Sequence, residues 1–66
     1  MERQLTEYEK VALQALADGE SQVEYAIRTL KGAGTVARTM FFIRLKLNAK
    51  NAPHAVAIAL RKGLIR

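Results

Sequence analysis

The residues with most chemistry to offer are the bases of the second half. Residues 31–66 hold Lys31, Arg38, Arg44, Lys46, Lys50, Arg61, Lys62 and Arg66 and no acid, a charge of +8. Residues 1–30 hold all six acids against three bases, giving −3. A polyanion is drawn to the second half and repelled by the first, and nucleic acid is the obvious polyanion. Catalytic constellations are weak by comparison. Glu7, Glu9, Glu20 and Glu24 fall where helices begin, where carboxylates suit the helix dipole, and do not read as an acid–base pair. No nucleophile stands with a base. With no cysteine and a single histidine, His54, neither a thiolate nor a histidine metal site is expected. "KGAGT" at 31–35 has a Gly-x-Gly look, but it follows a helix and lacks phosphate-loop spacing, so it reads as a turn. The chain reads as a non-enzyme without a cofactor.

Sixty-six residues make one small domain spanning 1–66. Such a chain buries a modest fraction of its surface, and pairing with another chain is its route to a larger core. No apolar run reaches the roughly 18 residues needed to span a bilayer. "MERQLTEYEK" has no apolar stretch of the signal-peptide kind. A cytoplasmic protein is expected, and the methionine start favours a whole protein.

Five breakers, Gly19, Gly32, Gly34, Pro53 and Gly63, cut the chain into four pieces of helical length. In the first, Thr6 and Glu9 form a capping box, with Leu5 before it as a staple. Tyr8, Val11, Ala12, Ala15 and Leu16 supply its inner face, and Gly19 ends it. In the second, Ser21 and Glu24 form another capping box. Tyr25 or Ala26, then Leu30, face inward, and Gly32 closes it. The third, "TVARTMFFIRLKLN", takes Thr35 as its cap. In the fourth, Asn51 caps, Pro53 sits in the first turn and Gly63 terminates. Ala55, Val56, Ala59 and Leu60 face inward there, with His54, Ala57, Ile58 and Arg61 on the other side. The expected fold is an all-α four-helix domain. The tight turn before the third helix suggests a helix-turn-helix, whose second helix enters the major groove.

The two ends of the chain carry a resemblance. "LTEYEKVALQALADGES" resembles the "LTxREKEVLxLLAxGxS" of LuxR-type (GerE-type) DNA-binding domains, and "KLNAKNAPHAVAIALRKGLI" resembles their "KLGVxNRTQAVAxALRRGLI". "EYA" stands at the family's "EIA", and Thr35–Val36 at the start of its "TVKxH". The ends align without a gap and cover about 60 residues. The resemblance implies a four-helix fold, a third helix that reads DNA, a fourth that dimerises, and promoter binding as a dimer. Most members carry a regulatory domain ahead of this one; stand-alone members of this size exist. The middle departs from the pattern. "TLKG" at 29–32 replaces the family's "LGIS", with Leu30, Ile27 or Ala33 left to compensate for its apolar turn residues. Ala37 and Thr39 stand where the family has lysine and histidine, and Arg38 is the nearest base.

On this reading Arg38 and Thr39 reach base edges of double-stranded DNA. Ser21, Gln22, Lys31, Thr35, Arg44 and Lys46 hold phosphates, which position the helix without reading sequence. Two recognition helices of a homodimer would sit about 34 Å apart. His54, Ala57, Ile58 and Arg61 form the dimer face.

"RTMFFIRLKL", 38–47, complicates this. On a helical wheel Val36, Met40, Ile43 and Leu47 fall within about 60° and form a core stripe. Phe41, Phe42 and Leu45 lie on the opposite side with Arg38, where the family is polar. Four explanations stand: a protein interface, a displaced register that buries the phenylalanines, an apolar contact to DNA, and a strand over Phe41–Leu47. The protein-interface explanation carries an alternative function. The chain would be an antiactivator or co-regulator that pairs with a LuxR-type regulator, or another protein, through the last helix or this patch.

Overall fold

The structure, a computed structural model, describes residues 4–66. Four helices follow one another: α1 (Glu7–Ala17), α2 (Gln22–Arg28), α3 (Ala33–Leu47) and α4 (Ala52–Arg61). The described residues contain no strand. The domain is all-α, and the segment 41–47 is helix, not strand.

Local chemistry sets the helix starts. The Thr6 hydroxyl accepts from the Glu9 amide at 3.1 Å, and the Thr6 amide donates to the Glu9 carboxylate at 2.8 Å. Ser21 and Glu24 repeat the pattern at 3.0 and 2.8 Å. Both capping boxes read from the sequence are present. Asn51 caps α4 by accepting from the His54 amide, with Pro53 in the first turn.

Each helix then closes with the same pair of backbone bonds. In α1 the Gly19 amide donates to the Leu16 carbonyl and the Glu20 amide to the Ala15 carbonyl. Equivalent bonds end α2 at Leu30 and Lys31, α3 at Asn48 and Ala49, and α4 at Gly63 and Leu64. This closure needs one residue with positive φ. Gly19 (+103°), Gly63 (+71°) and Asn48 (+56°) are types that adopt it readily. The fourth is Leu30, at +58°. The expectation that Gly32 closes the second helix is therefore corrected. Leu30 turns the chain, and Gly32, at φ −66°, is the N-cap of α3. Thr35 lies inside the helix and does not cap it.

α3 packs against the other three helices. One cluster joins Leu5, Leu13, Met40, Ile43, Ala55, Ala59 and Ile65; a second joins Ala12, Ala15, Tyr25, Ala26 and Val36. Val36, Met40 and Ile43 are buried, with Leu47 packed beside them, as the third-helix stripe predicts. The displaced register is excluded, because Phe41, Phe42 and Leu45 are 47%, 45% and 51% exposed. On α1 the expected face is rotated. Leu13 is fully buried, while Val11 and Tyr8 are exposed. Leu30 and Leu60, expected inside, lie outside. Ile27 and Ala33 are exposed too, so neither they nor Leu30 fill the core at the turn. Five of the twelve buried apolar residues are alanines, which keeps the apolar core small.

Candidate nucleic-acid interface

Charge in the folded chain is sorted by pairing. Lys10 pairs with Glu7 at 3.0 Å, Arg28 with Glu20 at 2.6 Å, and Lys46 with Glu9 at 2.7 Å. Among the described residues this leaves Asp18 and Glu24 as the acids outside ion pairs. Against them stand Lys31, Arg38, Arg44, Lys50, Arg61, Lys62 and Arg66. The unpaired charge is mostly positive, and its bases lie on the α2–α3 turn, α3, the α3–α4 loop, α4 and the C-terminus.

The turn is held at both ends. The Thr29 hydroxyl donates to the Tyr25 carbonyl at 2.6 Å, and the Lys31 ammonium lies 4.8 Å from the centre of the Tyr8 ring. α3 then starts without a side-chain cap and with no acid in its first turn, unlike α1 and α2. The first amides of a helix have no partner within it. Ala33 and Gly34, both exposed, leave those amides unshielded by any bulky side chain. Gly34, Thr35 and Arg38 line a surface hollow there. Arg38 is exposed and one turn further along. An oxyanion brought to this end meets amide donors, the helix dipole and a guanidinium.

Not every base or hydroxyl expected at such a surface stands there. Thr39 is buried, and its hydroxyl donates to the Thr35 carbonyl at 3.0 Å, so it turns inward and does not stand where the sequence predicts a base contact. Lys46 also lies away from a phosphate role, since its ammonium is bound to Glu9. Burial alone raises the Glu9 pKa, but the bond from Lys46, the Thr6 amide and the charge of Lys46 more than offset it, and the net shift is downward. Exposed Arg28 and half-buried Glu20 stabilise each other's charged forms by a two-pronged hydrogen bond, which lowers the Glu20 pKa and raises that of Arg28. Ser21 is exposed, its oxygen engaged by Glu24, and Gln22 is half-buried.

The C-terminal half of α3 differs. Phe41 and Phe42 meet edge-on, ring centres 5.6 Å apart, and the Arg44 guanidinium lies 5.9 Å from the centre of Phe41. Beyond it, His54 accepts from the Lys50 amide at 3.0 Å. Ala57 and Ile58 are half-buried, while Arg61 is exposed. The expected dimer face on α4 is thus only partly exposed, though neither Ala57 nor Ile58 packs on the main core cluster.

Sequence reasoning missed two features. "KGAGT" read as a plain turn, although its Gly32–Gly34 stretch opens α3 with bare backbone. Val23, Ile27 and Leu30, 62%, 70% and 94% exposed, line the outside of α2 and its end. Their spacing, i, i+4, i+7, was the available signal. Among the described residues no group of three or more His, Cys, Asp or Glu is placed to hold a metal, and no helix is long and apolar enough to cross a membrane. No protein-family model matches the chain, and no curated protein matches it significantly.

Proposed function

We propose that this chain is a small DNA-binding regulator of transcription that works as a dimer in the cytoplasm. α2 and α3 form its helix-turn-helix, and the N-terminal half of α3 enters the major groove. The observation that carries this reading is the start of α3: uncapped, free of acid, lined with small residues, and followed by an exposed Arg38. Arg38 reads base edges. Lys31, Thr35 and Arg44 stand nearby for phosphates, with Ser21 and Gln22 at the start of α2. The resemblance to LuxR-type domains at the two ends of the sequence supports the same reading. Fluorescence anisotropy on a labelled mixed-sequence duplex tests it. Affinity should fall steeply between about 50 and 200 mM salt. No detectable binding at the low-salt end would sink the proposal.

A second reading is favoured by one observation, the half-exposed Phe41, Phe42 and Leu45. Here the chain is an antiactivator or co-regulator that docks another protein, such as a LuxR-type regulator, on this patch. Phe42→Glu separates the two. Lost partner binding with DNA affinity intact supports the docking function; lost DNA affinity with partner binding intact removes it.

A further inference from the structure

Of the four helix closures, only that of α2 uses a residue type ill-suited to it. Leu30 takes φ +58° and is 94% exposed. A β-carbon in that conformation is strained, and the leucine gains nothing from the core of its own domain. Val23 and Ile27 precede it on the outer side of α2, one turn apart. Three such side chains present on the order of 300–400 Å² of apolar surface, within the range of the largest patch on a typical monomer, which is often functional. Strain and exposure together, on a side chain the fold does not need, point to a use outside the fold.

We infer that the Val23–Ile27–Leu30 face of α2 is where two copies of this chain pair, antiparallel, about a two-fold axis near Ile27. Charge chooses the occupant. α2 carries one acid, Glu24, and one base, Arg28, a turn apart. An antiparallel two-fold sets Val23 against Leu30 of the partner subunit and Glu24 toward Arg28 of the partner subunit, so the face is complementary to itself. Arg28 is already braced by Glu20 through Nε and Nη2, which leaves guanidinium donors for a second carboxylate. The other apolar face, on α3, has Arg38 and Arg44 beside it and no acid, so two copies of it repel. Two such faces bury on the order of 800 Å², below the usual size of a stable interface, so the dimer is weak and concentration-dependent.

This inference does not rest on the nucleic-acid reading, and its test contains no DNA. In sedimentation equilibrium the mass should rise from 7.3 kDa toward twice that value as concentration approaches about 1 mM. Ile27→Glu and Leu30→Gly should each raise the dissociation constant roughly tenfold or more. Leu30→Gly should at the same time raise the melting temperature of the dilute monomer, because glycine accepts positive φ without strain. Ile58→Glu, on α4, and Phe42→Glu, on α3, should leave association unchanged. A chain that stays monomeric to about 1 mM, association that survives both α2 substitutions, or association lost instead through Ile58→Glu overturns the inference.

Discussion

Replacing Lys46 by methionine should damage the fold and spare DNA binding. The Lys46 ammonium lies 2.7 Å from Glu9, and the two side chains are 20% and 10% exposed. Methionine keeps much of the apolar stem and removes the charge. Glu9 would then sit in its buried site with only the Thr6 amide, at 2.8 Å, for compensation. Removing one partner of a fully buried ion pair costs about 3–5 kcal/mol. The surviving Thr6 bond and the partial exposure put this case at about 2–3 kcal/mol. A domain of this size has roughly 3–5 kcal/mol in total, so the melting temperature should fall by about 10–20 °C at pH 7. The sign with pH is a second signature. In the parent chain Glu9 titrates below its usual 4.5, so its contribution is present above that value and is lost as pH falls through the folded pKa. In the variant, burial acts without the lysine and the folded pKa rises. Protonation then relieves the defect, and the gap in melting temperature narrows toward about pH 3–4. Circular dichroism melts across pH measure both. DNA affinity, taken where both proteins are folded, should change by less than about twofold. A melting shift under about 3 °C at pH 7, or a salt slope shallower by about one, would refute the reasoning. The second result would mean that Lys46 leaves Glu9 to hold a phosphate.

Three further substitutions probe the same surface and its support. Arg38→Ala should weaken binding by about 1–3 kcal/mol and flatten the preference at one base position, as measured by anisotropy on a set of single-base operator variants. Thr39→Val removes only a hydroxyl committed to the Thr35 carbonyl, so DNA affinity should stay within about twofold of the parent; a larger loss would place that hydroxyl in the groove after all. Leu13→Ala empties the fully buried centre of the first cluster at a cost of roughly 3 kcal/mol, and far-ultraviolet circular dichroism at 37 °C should show a largely unfolded chain.

The helix starts were legible because each capping box is local chemistry, a hydroxyl and a carboxylate three residues apart. The α3 core stripe was legible because Val36, Met40, Ile43 and Leu47 admit one helical face. Three things were not. The end of α2 was hidden because glycine is the usual residue at such a closure, and here Leu30 stands two positions before the glycine that caught the eye. The face of α1 was rotated because Tyr8, Val11, Ala12, Ala15 and Leu16 also make a fair stripe, and only packing against α3 and α4 favours Leu13. Lys46 was read as a phosphate base because its pairing with Glu9 spans 37 positions, and nothing in either neighbourhood announces it.

Those misreadings share a cause that bears on function. Sequence marks a base as available, but availability is decided by which acids the fold brings to it. In this chain three of the four glutamates of the described acid-rich half, Glu7, Glu9 and Glu20, are spent on Lys10, Lys46 and Arg28. Two of those pairs lie within the first half and leave its net charge unchanged; only Glu9–Lys46 joins the halves, so the acidic first half and the basic second half persist in the fold. Among the described residues three of the five acids are paired, and seven bases against two acids stand outside ion pairs. That residue of charge flanks an α3 whose first half offers bare backbone and Arg38, and whose second half offers two phenylalanines and a leucine. A polyanion satisfies the first half and leaves the second in water; an apolar protein surface does the reverse. Both halves are served at once only by a ligand with phosphates at one end and apolar surface at the other. A DNA duplex meets that description where thymine methyl groups line the major groove, and so does a DNA-bound partner protein. Operator selection from a random pool separates them. Enrichment of thymine-rich steps beside the Arg38 contact, lost in Phe42→Glu, assigns the phenylalanines to DNA. Enrichment indifferent to that substitution assigns them to a partner.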